Sequence, residues 1–157
     1  MNKLILMITL LALLIGCKES SNGISENIKQ EIKKENPYKD QLKVKITRTG
    51  YFPSNVWKPC VELSIQNITN STIDDYVDLK VIFIDLDSGE ILGNPTRKII
   101  SGYQPLSGGA TISHSVFMPV YGNEGATNKM RDKNVKAEIY IEEGFVDEIR
   151  IENQNFR

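Results

Sequence analysis

Few side chains in this sequence have the type and spacing that chemistry requires. There is one histidine, His114, and there are two cysteines, Cys17 and Cys60. A catalytic Ser-His arrangement or a multi-histidine zinc site is therefore excluded within one chain unless His114 supplies the imidazole. His114 shares a strand face with Ile112 and Val116, the surroundings of a half-buried structural histidine. Asp85, Asp87 and Glu90 surround Ser88-Gly89. Oxygen-rich turns hold calcium, and these three are the weak metal candidates of the chain. The segment lacks the further ligands of a twelve-residue calcium loop, however, and Asp-Ser-Gly is also what a hairpin turn selects. The acidic pairs Asp74-Asp75, Glu142-Glu143 and Asp147-Glu148 fall in turns or at strand ends, where solvated charge is the default. No Gly-x-Ser-x-Gly elbow and no phosphate-cradling glycine loop is present. The reading is of a protein without catalytic residues or cofactor. Tyr51, Phe52 and Trp57, set among Pro53 and Pro59, form an aromatic loop that suits either a partner-binding surface or a plug for one end of a core.

Cys17 has a different chemistry. Asn2 and Lys3 precede an apolar run from Leu4 to Ile15 interrupted only by Thr9, followed by Gly16 and Cys17. That is the layout of a secretory signal, shorter than the roughly 20 residues needed to span a bilayer. Leu14-Ile15-Gly16-Cys17 resembles the lipobox of bacterial lipoproteins. The resemblance implies cleavage after Gly16, removal of residues 1–16, and acylation of Cys17 on its sulfur and its new amino group. Two or more acyl chains hold a protein stably at a membrane where one binds only marginally. Lys18 and Glu19 follow, rather than the Asp that resembles an inner-membrane retention signal, so an outer membrane is favoured where the cell has one.

Loss of the signal removes Lys3 from 19 basic side chains against 20 acidic ones, leaving a balance of about −2. No basic face directs such a chain to nucleic acid. With Cys17 thioether-linked, Cys60 stands alone and no internal disulfide forms. It begins an alternating segment and reads as a small strand residue rather than a reactive thiol.

The remaining chain reads as three parts: the signal (1–16), a lipidated cysteine with polar spacer and short helix (17–39), and a β-domain (40–157). Ile24, Ile28 and Ile32 form a thin helical stripe over 24–35, closed by Asn36-Pro37. At Leu42 the apolar period changes to two, with Leu42, Val44 and Ile46 alternating with Lys43, Lys45 and Thr47 until Gly50. Val61, Leu63 and Ile65 repeat the alternation. The stretch from Val77 to Leu86 is apolar on both faces and predicts a central strand. Glu90 to Leu92 returns from a turn, 97–101 follows Pro95, and Ala110 to Met118 alternates again. Sixteen residues, 119–134, form a long connection before a last hairpin over 135–151. About seven strands at this spacing predict an all-β, immunoglobulin-like antiparallel sandwich.

Val61-Glu-Leu-Ser-Ile-Gln-Asn67, the strand from Val77 through Phe83-Ile-Asp85 to Gly89, and Leu106-Ser-Gly-Gly109 together resemble the FxLYD-type immunoglobulin-like modules of bacterial envelope proteins. The likeness covers roughly residues 60–118. It departs in lacking an early glycine, in having Ser-Gly-Gly for Pro-Gly, and in the 119–134 loop. The family carries no catalytic residues to transfer. It implies a sandwich used for binding or spacing. The expectation is a lipid-anchored envelope lipoprotein, held to the membrane by Cys17 and binding an envelope or secreted protein, one version being an immunity-type lipoprotein. The rival is a small-molecule or calcium-binding lipoprotein using Asp85 to Glu90.

Overall fold

The period-two segments become eight strands in the computed structural model, which describes residues 33–53, 57–119 and 130–156. They are β1 (Leu42–Phe52), β2 (Lys58–Asn67), β3 (Val77–Asp85), β4 (Ile91–Gly93), β5 (Thr96–Ile100), β6 (Thr111–Phe117), β7 (Val135–Ile141) and β8 (Gly144–Arg150). One sheet has the order β1-β2-β6. The other runs β4-β3-β7-β8, with β5 following β4 along the same side of β3. All named strand pairs are antiparallel. Strands distant in sequence lie side by side, as β2 does with β6 and β3 with β7, the arrangement of an immunoglobulin-like sandwich.

The alternation fixes which residues meet between the sheets. Val61, Leu63 and Ile65 of β2 are fully buried, as are Leu79, Val81 and Phe83 of β3 and Ala137, Ile139 and Ile141 of β7. Each large side chain so buried contributes about 1.5–3 kcal/mol against exposure. β3 is central, as its two-sided apolarity predicts, but its outer face is only half covered: Ile82 and Ile84 are half-buried and Leu86 is exposed.

Two strands run longer than the alternation suggested. β1 does not stop at Gly50 but continues to Phe52, and β2 starts at Lys58, so much of the expected aromatic loop is strand. A register shift between Ile46 and Arg48 lets this happen, moving Thr49 and Tyr51 into the buried set.

The chain ends add two elements that alternation cannot reveal. The expected helix over 24–35 lies outside the described residues up to 32, and its last residues are not helical. Lys34 accepts from the Phe145 N–H at 2.7 Å, and Glu35 bridges Phe145 in parallel. Lys34 and Glu35 thus pack with the compact unit that spans Lys33–Arg157. At the other terminus, Gln154 to Phe156 run parallel to β1. Tyr51 donates its N–H to Gln154 O at 2.8 Å, and Phe156 donates to Tyr51 O at 2.8 Å. Gly50 makes room for this tail, since a Cβ there would stand 2.8 Å from Gln154 O.

Candidate functional site

Three connections meet at one end of the sandwich, away from the β7–β8 turn beside which Lys34 and Glu35 run. They are the β1–β2 turn, the β3–β4 turn, and the residues leading into β7. Met118 donates to Pro59 O at 2.9 Å, Leu86 donates to Asn134 O at 2.7 Å, and the Tyr51 hydroxyl donates to Lys133 O at 3.3 Å. The last residues of β8 and the tail reach the same end. With Tyr51 and residues 131–134 they line an open groove of about 840 Å³ that includes Arg131, Lys133, Arg150 and Asn153.

The three aromatic candidates separate here. Tyr51 is 1% exposed, so it belongs to the core and its ring is corrected from contact surface to plug. It sits there because the β1 register shift turns it inward. Burial raises its phenol above the usual range. Phe52 is 41% exposed, resting edge-on against Phe117 with centroids 5.1 Å apart. Trp57 is partly buried, and the Arg131 guanidinium lies 4.5 Å from its ring centroid. Arg131 is itself held by Asn153, to which its Nε donates at 2.7 Å. Of the predicted trio, Phe52 presents the most exposed ring, while Trp57 packs against the core with Arg131 over its face.

The acidic turn is organised by a lysine that sequence spacing did not connect to it. Lys133 Nζ lies 2.6 Å from Asp85 Oδ2. Asp85 Oδ1 accepts from the Asp87 N–H at 3.1 Å, and Asn134 Nδ2 donates to Asp87 Oδ1 at 3.3 Å. The Lys133 hydrogen bond, with help from the Asp87 N–H and Ser88, holds the Asp85 carboxyl below its ordinary range. Gly89, at a φ of 73°, closes the turn by donating to Asp85 O at 2.7 Å. The best of the three candidate oxygen ligands is thus committed to an ammonium group. Among the described residues no three His, Cys, Asp or Glu side chains group as a metal site.

His114 and Cys60 are both built into the β1-β2-β6 sheet. His114 lies opposite Leu63, between Ile112 and Val116, half-buried; burial, then the charge of Arg97, pulls its imidazole below the ordinary range. Cys60 is fully buried in the middle strand, between Gly50 and Phe117, and burial pushes its thiol up to about 12. At neutral pH it is not a nucleophile. Cys17 lies outside the described residues.

A second charged cluster, also absent from the sequence reading, lies on the outer face of β7 and β8. Glu138 Oε1 takes Lys136 at 2.8 Å and Lys33 at 3.1 Å, and the Tyr140 hydroxyl donates to Oε2 at 2.7 Å. Both lysines also reach Glu148, at 3.1 and 3.2 Å. Burial acts to raise the Glu138 carboxyl, but the Lys136, Tyr140 and Lys33 hydrogen bonds outweigh it and bring the group down to about 2. Lys33 lies over the Phe145 ring at 3.8 Å. The cluster fastens the first described residue to the sheet. The Lys33-Lys34 pair, separated from Asn36-Pro37 by Glu35 alone, gave no hint of it.

No family model matches the chain, and no curated protein matches it. Among solved structures, the chain is similar to a β-glucuronidase from glycoside hydrolase family 2, at 14% identity and a TM-score of 0.39, over 70% of this chain. The match spans 10% of that enzyme's chain. A likeness this loose carries neither activity nor substrate across.

Proposed function

We propose that the protein is a lipid-anchored lipoprotein of the bacterial envelope, tethered through acylated Cys17, whose sandwich is a non-catalytic protein-binding module. The observation that carries the reading is the exposed ring of Phe52, with Trp57 and the Lys133–Asp85 ion pair at the same end of the sandwich. Exposed aromatics beside fixed charges are what partner surfaces use. Support also comes from how the reactive groups are spent: Asp85 on Lys133, Cys60 in the core, and His114 in a strand. The apolar run ending at Gly16-Cys17 supplies the anchor.

The test is a pulldown of the tagged full chain from its native envelope in mild detergent, with Cys17→Ala and Phe52→Ala beside it. The expected result is a stoichiometric protein partner, retained at least tenfold less by Phe52→Ala, and release of Cys17→Ala from the membrane fraction. A bound small molecule with no protein would overturn the binding reading. Unchanged membrane retention and mass of Cys17→Ala would overturn the anchor.

A further inference from the structure

Each sheet of an open sandwich ends in two strands whose outward N–H and C=O groups invite another chain, and stable proteins blunt such edges. Three of the four edges here are blunted. β1 carries Lys43 and Lys45, shifts register after Ile46, and is covered at Tyr51 by the tail. The β4/β5 side is two short strands separated by Asn94-Pro95, with Arg97 and Lys98 exposed. β8 exposes Asp147, Glu148 and Arg150 and is joined at Phe145 by residues 34–35. β6 has none of these devices. Thr-Ile-Ser-His-Ser-Val-Phe contains no proline, glycine, lysine or acid, and pairs with β2 without a register shift. Among the described residues only β2 pairs with it.

The direction of its free groups follows from the bonds on either side. Asn67 donates to Ala110 O and Met118 donates to Pro59 O, so even-numbered residues from 110 to 118 face β2. The N–H and C=O groups of Thr111, Ser113, Ser115 and Phe117 face outward. The side chains are near-symmetric about His114: Ser113 and Ser115 flank it, then Ile112 and Val116, then Thr111 and Phe117. Two antiparallel copies centred on His114 place Ser113 opposite Ser115, Ile112 opposite Val116 and Thr111 opposite Phe117. The outward backbone groups then fall at the hydrogen-bonded positions of the new ladder. No like charges meet, whereas two copies paired through β1 would bring Lys43 and Lys45 together.

We propose that two copies of this chain associate through β6, joining their three-stranded sheets into one six-stranded sheet with a two-fold axis at His114. The interface is isologous, so one strand supplies both halves of the contact. This association rests on the free backbone edge of β6 and does not depend on the partner-binding reading above, whose Phe52 meets β6 only at Phe117.

The test uses the full chain in mild detergent. Ser113→Cys and Ser115→Cys copies are mixed under mild oxidation, with each variant alone and the unsubstituted chain as controls. The expected result is a disulfide-linked pair in the mixture, at least tenfold above either variant alone, and a twofold mass for the unsubstituted chain. Ser113→Lys/Ser115→Lys faces lysine with lysine and halves that mass, with the β-sheet circular dichroism unchanged. A monomeric unsubstituted chain at 100 micromolar overturns the proposal, as does a twofold mass that survives the lysine pair. Equal cross-linking by Ser113→Cys alone overturns the register. A foreign protein cross-linked to Ser113→Cys in the envelope, with no second copy, overturns self-pairing in favour of an alien strand.

Discussion

Glu138 shows how a single carboxylate can be both buried and charged. It is 8% exposed, and its two oxygens are shared among Lys33, Lys136 and Tyr140. Its folded pKa, about 2, lies below the ordinary 4.5, so its stabilisation is complete above the ordinary value and is lost as pH falls from 4.5 toward 2. Glu138→Gln is expected to cost on the order of 1–3 kcal/mol at pH 7 and little at pH 2, measured by urea unfolding at both. An equal cost at both pH values would show that shape, not charge, is what the site needs. Asp85 and Glu148 are shifted the same way by their lysines, so the whole molecule loses stability on acidification. The two long-range pairs, Lys133–Asp85 and Lys33–Glu138, were not legible in the sequence. Lys133 lies 48 residues from Asp85 and Lys33 lies 105 from Glu138, and ion pairs at such separations follow from topology alone.

At the scale of elements, the alternation of β2, β6 and β7 was sufficient because one face of each is buried, which makes period two unmistakable. It failed where backbone rather than side-chain pattern decides. Residues 34–35 and 154–156 join sheet edges through only a few hydrogen bonds, in sequences of ordinary polarity. Gly144 follows the acidic pair Glu142-Glu143 between β7 and β8 and is a crossing point: a Cβ there would lie 2.3 Å from Asn36 Cα and 2.6 Å from Glu35 O. Gly144→Ala is expected to lift residues 33–36 from β8, costing about 1–3 kcal/mol. Hydrogen exchange at the Phe145 amide reads this directly, because its acceptor is Lys34 O. Unchanged protection of that amide in the variant would mean the crossing relaxes without detaching.

For the molecule as a whole, the sandwich was anticipated from strand spacing, and the two-sheet architecture is as expected. The candidate site was half legible: Phe52 is exposed, but the β1 register shift that buries Tyr51 leaves no trace in the order of residues. Cys60 offers a measure of global stability, since its thiol is fully buried in the middle strand of its sheet. In the Cys17→Ala chain, thiol reagent at pH 8 is expected to label Cys60 only at the rate of unfolding, with labelling at least a hundredfold faster in denaturant. Fast labelling of the native chain would reveal local opening of β1 or β6 instead.

The parallel course of residues 34–35 and of the C-terminal tail has a mechanical consequence. Residues 34–35 run alongside β8 and residues 154–156 run alongside β1, each parallel to its neighbour. A pull between the two ends, directed along the strands, loads these hydrogen bonds side by side instead of peeling them one at a time. Force is then resisted collectively, so the domain stays folded under tension that would unzip a hairpin loaded from its open end.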